Sequence, residues 1–342
     1  MKKKSKTIAS RGLLAAVLAI GTIVNAETIK CVNTAYSIAP NDCFGVGHTP
    51  SKENDYVVDA DQVFSTGKNT IDSFSFSGGS LTIGSSATSK GKLVFYGKGT
   101  VTVPCGIRIC HASGHVNYGW SKDKLTYNHH VVADIALDSS FKTAPQISTE
   151  FRSNGQHLFF DGKISGDAST GMKFFGNEWS NDNTNDVVAF TGDMSKYYGY
   201  IDIAGSTKVK VPDVQPEQIC TNTLILALGN VECPGTVKLT DGQYAFLRTV
   251  DTDDTAKIAT LVMPDGATIF PQIDIVNKKC GVIEVTEKFT RSGKQCIRAK
   301  FLNPLISSDH GSFSLPVLKV AENAGTLNVD DFELAVEDAG DF

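Results

Sequence analysis

The most oxygen-rich stretch of the chain is Asn181-Asp182-Asn183-Thr184-Asn185-Asp186. Amide and carboxylate oxygens at this density could ligate calcium. The spacing departs from the twelve-residue calcium loop: Asp186 stands at position six, where that loop takes glycine, and Gly192 at position twelve, where it takes glutamate. The run reads instead as a solvated loop whose Asp182 and Asp186 can bond hydroxyl groups. No cofactor is expected, with calcium on this loop the one candidate. Tyr118, Trp120 and Tyr127 lie in one irregular segment, and Trp179 precedes the Asn/Asp run. Exposed rings stack on sugar faces, so these four are candidate binding residues beside the two aspartates. Packing at corners of the fold is the plainer alternative. Cys105-x4-Cys110-His111-x3-His115 has the residue types of a zinc site but the spacing of no usual finger, so no metal centre is expected.

Catalytic constellations are harder to assemble. Splitting a glycosidic bond takes two carboxylates held together. The acidic runs ending at Asp186 and beginning at Asp251 lie far apart in sequence, as does Asp309-His310-Gly311. Arginine is sparse beyond the N-terminus: Arg108, Arg152, Arg248, Arg291 and Arg298. There is no Gly-x-Ser-x-Gly and no phosphate-binding loop. His129-His130 stands isolated and reads as a surface pair. No catalytic residue is expected, and the chain leans away from an enzyme.

The elements that must position these residues are short and alternating. Ser80-Leu81-Thr82-Ile83, Thr100-Val101-Thr102-Val103, Tyr200-Ile201-Asp202-Ile203 and Thr236-Val237-Lys238-Leu239 are examples. Period two, β-branched residues and Gly, Asn, Asp or Ser between runs predict strands. No helix of twelve residues is predicted beyond the N-terminus. Tight two-residue hairpin turns are few, and inward positions are aliphatics and Phe, which at 19 far outnumbers Trp at 2. Among all-β architectures these features favour a narrow solenoid over a sandwich or a propeller.

Residues 1–26 read as a secretory signal. Lys2, Lys3, Lys4, Lys6 and Arg11 form a basic start, Gly12 to Val24 an apolar core, and Val24-Asn25-Ala26 a small-residue cleavage site. The apolar run is too short for a spanning helix, so no integral membrane segment is expected after cleavage. The remainder carries 27 basic against 37 acidic residues, a net charge of −10. That balance argues against nucleic acid or anionic membrane surfaces as partners. Eight cysteines in an exported chain predict disulfides. They fall into four close couples: Cys31–Cys43, Cys105–Cys110, Cys220–Cys233 and Cys280–Cys296.

One segment is more specific. Val188-Ala189-Phe190-Thr191-Gly192-Asp193-Met194-Ser195-Lys196-Tyr197-Tyr198-Gly199-Tyr200-Ile201-Asp202-Ile203 resembles the repeat of autotransporter-type passenger domains. Gly162-Lys163-Ile164-Ser165-Gly166 upstream is similar to a pattern found before it. The resemblance implies an adhesin-like bacterial surface protein folded as a single-stranded, right-handed parallel β-helix. It carries over no catalytic residue, and the acidic C-terminal stretch lacks the alternation of a translocator barrel.

The expected organisation is a signal at 1–26, an N-terminal cap at 27–54, a disulfide-stapled β-helix at 55–313 with turns of about 20–25 residues, and an acidic segment at 314–342 that ends or extends it. The expected function is an exported, non-enzymatic β-solenoid at the cell surface, outside the cell or in the periplasm, presenting loops to a glycan, host or matrix partner. A polysaccharide lyase or hydrolase on the same fold is the first alternative, and a structural spacer the second.

Overall fold

The computed structural model describes residues 26–34, 40–59, 62–65, 73–86, 88, 91–95, 99–110, 128–139, 147–152, 157–175, 184–210, 219–240, 242–302 and 312–337. The chain is all-β: among the described residues there is no α-helix, only strands and short 3-10 turns. No helix among them is long and apolar enough to cross a membrane.

The strands assemble into a seven-stranded sheet, an eighteen-stranded sheet and one separate pair. The seven-stranded sheet is parallel throughout and follows chain order: Ile147–Arg152, Thr170–Phe175, Tyr200–Ala204, Glu232–Thr240, Thr255–Met263, Val282–Arg291 and Leu318–Val320. Most of the large sheet is parallel too. It passes from Thr28–Lys30 through Asp55–Val58, Ser80–Ile83, Gly99–Ile109 and Asn128–Leu137. It ends with Gln295–Phe301 against Phe332–Glu337. Side-chain bonds between neighbouring strands join residues from 25 to 38 positions apart, at or above the upper end of the expected turn.

Parallel pairing with alternating residues lines identical faces into columns. Leu158, Val188, Leu226 and Leu247 stand in register on successive strands, each fully buried. Met172, Ile201, Val237, Leu261 and Phe289 form the matching column of the seven-stranded sheet. Each such aliphatic or aromatic side chain contributes about 1.5–3 kcal/mol by burial. Phe160 stacks on Phe190 at 5.2 Å between ring centres, and Phe174 meets Phe190 edge-on at 5.9 Å. A second, smaller apolar layer of Val187, Ala189, Ile225, Ala227, Phe246 and Phe270 lies on the opposite side of the same strands. This stretch of sheet is buried on both faces, which explains why Val187–Phe190 and Leu224–Leu228 read as unbroken apolar runs.

The cysteines correct one expectation. Cys31, Cys43, Cys105, Cys110, Cys233, Cys280 and Cys296 are free thiols, so none of the four predicted couples is bonded. Cys105 is exposed and Cys110 buried, five residues apart along extended chain. One thiol thus faces solvent and the other the core. Cys280 pairs with Ile273, and Ile273 with Phe301, five residues along from Cys296. Cys233 belongs to the seven-stranded sheet, whereas the backbone of Cys220 belongs to the large one. Cys31 and Cys43 share the core, but the Cys31 thiol turns towards the Val63 carbonyl at 3.4 Å.

Candidate functional site

The outward columns of the first strands form the floor of an open groove of about 510 Å³. One column runs Thr28, Asp55, Ser80, and the next Val57, Thr82, Arg108, Ala136. Their inward neighbours Tyr56, Val58, Leu81 and Ile83 are core residues, so alternation alone turns the polar set out. One wall is recessed by a bulge in the strand Gly99–Ile109. Val103 pairs with Ala133 and Ile107 with Ile135, leaving extra residues on one side only. Gly106 makes the bend at φ 75°, and a Cβ there would stand 2.9 Å from the Asp134 carbonyl oxygen. The bulge also throws the Cys105 thiol outward into the groove lining.

The charged groups in the groove are held rather than poised. Ser80 Oγ donates to Asp55 Oδ1 at 2.6 Å, and the Lys163 backbone N–H donates to Asp134 Oδ1 at 2.9 Å. Arg108 donates through Nε to Asp138 at 2.8 Å and through a second nitrogen to the same oxygen. That bond keeps the guanidinium charged above its ordinary range. The lining thus offers hydroxyls, carboxylate lone pairs and one guanidinium in fixed positions, the set that recognises hydroxyl-rich ligands.

The histidine pair corrects another expectation. His129 is buried in the column of Leu158 and Val188, beside Phe95. Burial, reinforced by the neighbouring His130, pushes its pKa down to about 4. His130 alone faces out, stacked on Phe159 at 4.6 Å, with Nδ1 2.7 Å from Asp161 Oδ2. Thr191 Oγ1 donates to the other oxygen of Asp161. The aspartate therefore sits between hydroxyl and imidazole, whereas nucleophile activation needs the hydroxyl on the imidazole itself.

Of the residues expected to bind, Asp186 is placed in the interior. It lies in the strand Thr184–Phe190, fully buried on the same side as Val188 and Phe190, not in a solvated loop. Tyr118, Trp120, Tyr127, Trp179 and Asp182 lie outside the described residues, as do His111, His115 and residues 1–25 of the signal expected at 1–26. Among the described residues no three His, Cys, Asp or Glu side chains converge to hold a metal ion. Sequence reasoning missed Asp55, Ser80, Arg108 and Asp134. Each occupies an outward position of a recognisable alternation, but which ones share a groove depends on register between strands. Comparison with protein-family models, curated proteins and solved structures finds no match for the chain.

Proposed function

We propose that the chain is an exported, right-handed parallel β-helix of the autotransporter-passenger type that binds a neutral glycan in the groove over Asp55, Ser80, Arg108 and Asp134. The β-helix reading is supported by strands that pair in parallel in chain order and by inward columns continuous over successive strands. The observation that carries the function is the polar lining itself: hydroxyls and carboxylates on a rigid sheet, presented at one level. Two carboxylates against one arginine disfavour a polyanionic ligand. Binding is favoured over cleavage because Asp55, Asp134 and Arg108 already have short-range partners. The aromatic residues Tyr118, Trp120 and Tyr127 follow Cys110 in sequence and are the ones this reading recruits for sugar stacking.

The test is calorimetric titration of the purified chain with glucan, galactan and chitin oligosaccharides, with polygalacturonate as the acidic control. Wild type is expected to bind one neutral class, and Arg108→Ala or Asp134→Asn to weaken it at least tenfold, the loss of about one hydrogen bond to a charged group. Preference for the polyanion, or no binding in any class, overturns the reading. New chain ends in the oligosaccharides after incubation would replace it with the polysaccharide-enzyme alternative.

A further inference from the structure

The groove is much longer than it is wide. Five neighbouring parallel strands line it in turn, from Thr28–Lys30 to Asn128–Leu137. At about 4.8 Å between strands they span about 19 Å across the sheet. Each strand gives the groove only one or two outward side chains, and Ser85, just beyond Ser80–Ile83, is the one lining residue off the strands. Two outward positions on one strand lie about 7 Å apart. The long dimension therefore runs across the strands, along the columns.

In that direction polar groups recur at nearly every strand. Thr28, Asp55 and Ser80 take the first three steps of one column. Thr82 pairs with Arg108, so Gly106, two residues earlier, takes the fourth step opposite Ser80, and Asp134 beside it takes the fifth. Gly106 has no side chain, which keeps the floor low between Ser80 and Asp134. The spacing is fixed from beneath. Phe44, from the 3-10 turn Pro40–Phe44, plugs the N-terminal end of the core under this floor, against Tyr56 at 4.7 Å and Phe76 at 6.2 Å. A straight, rigid series of polar groups at one strand spacing is matched by a polymer whose own repeat has that length. We infer that the ligand of the groove is an extended, β-1,4-linked glycan lying along the columns, with one sugar over each strand and about five sugars in contact. This rests on the neutral-glycan reading and adds the direction, linkage and length of the chain. An equatorial β-1,4 linkage carries each ring forward by about one strand spacing and keeps the rings in a straight ribbon. One hydroxyl-bearing edge then passes Asp55, Ser80 and Asp134 in turn. An α-1,4-linked chain of the same sugar coils and soon leaves the line of the columns. A chain laid along a strand would meet two outward positions and run off the groove.

Calorimetric titration with cello- and chito-oligosaccharides of two to six sugars, against malto-oligosaccharides of the same lengths, reads linkage and length together. Affinity for at least one extended series is expected to rise with each added sugar up to about five, one per strand, and then to level off. Maltohexaose is expected to bind about tenfold more weakly than the extended hexamer, or worse. The exposed Cys105 thiol on the fourth strand reads location. Its alkylation by iodoacetamide, followed by peptide mass spectrometry, is expected to slow several-fold under saturating extended hexamer. Affinity that levels off at two sugars, or maltohexaose binding as tightly as the extended hexamers, overturns the inference and leaves the neutral-glycan reading standing. An unprotected Cys105 with the hexamer bound overturns it by placing the chain elsewhere. Failure of every neutral series to bind overturns both.

Discussion

His129 occupies a position where a carbon side chain would be at home, in line with Leu158 and Val188. Its pKa falls from 6.5 to about 4, chiefly because burial penalises the charged form. In the unfolded chain the imidazole regains its ordinary value. As pH falls, the unfolded state therefore takes up the proton first. This group leaves stability untouched above about pH 6.5 and removes up to about 3 kcal/mol of it by about pH 4. His157 acts in the same window: burial first, then the Arg248 and Lys300 charges, bring it to about 4. Urea unfolding of wild type and His129→Leu at neutral and mildly acidic pH separates the two. The variant is expected to keep much more of its neutral-pH stability in acid. Equal acid losses in both proteins would remove His129 as a cause.

At the scale of the element, charge sets register. Glu232, Lys257, Glu284 and Lys319 stand opposite one another on four successive parallel strands, and Lys319 Nζ reaches Glu284 Oε1 at 3.0 Å. A slip by one residue would bury this column and expose Ile258 and Ile283, so the ladder and the core specify the same pairing. Lys257→Glu places three acids side by side. The expected cost is about 1 kcal/mol at low salt, largely recovered in concentrated sodium chloride. Thermal melts at the two salt concentrations check this, and a salt-independent loss would mean that packing, not charge, was disturbed. The same elements show what can be read along the chain. Ser80–Ile83, Met172–Phe175, Tyr200–Ile203 and Val282–Val285 announce themselves by period two and are strands. The turn at Gly192-Asp193 is also legible, and the Ser195 N–H does donate to Asp193 Oδ1 at 2.9 Å. Its glycine answers to a different constraint from bending: a Cβ at Gly192 would lie 1.9 Å from the Gly162 carbonyl oxygen of the layer below. The groove was not legible for a related reason. Asp55 and Ser80 become neighbours only through the pairing of their strands, and His129 and His130 part company only once one side of their strand is known to be the core.

At the scale of the whole molecule, most strands touch only the strand before and the strand after in each ladder, so stability should be transmitted by neighbours rather than shared at once. The N-terminal plug is the place to test this, because Phe44 closes the columns that begin at Tyr56 and Phe76 without touching the far end. Phe44→Ala removes a buried ring, a change that costs about 3–5 kcal/mol where the site cannot collapse. Hydrogen exchange read by mass spectrometry should show faster exchange in Thr28–Lys30, Asp55–Val58 and Ser80–Ile83. Protection in Val282–Arg291 and Gln295–Phe301 should be unchanged. A loss of protection spread evenly along the chain would mean that the stack opens as one cooperative unit, and nearest-neighbour contacts would then be the wrong description of what holds it together. A graded loss from one end would show that the rigid floor presenting Asp55 and Arg108 depends on the aromatic plug a few strands away.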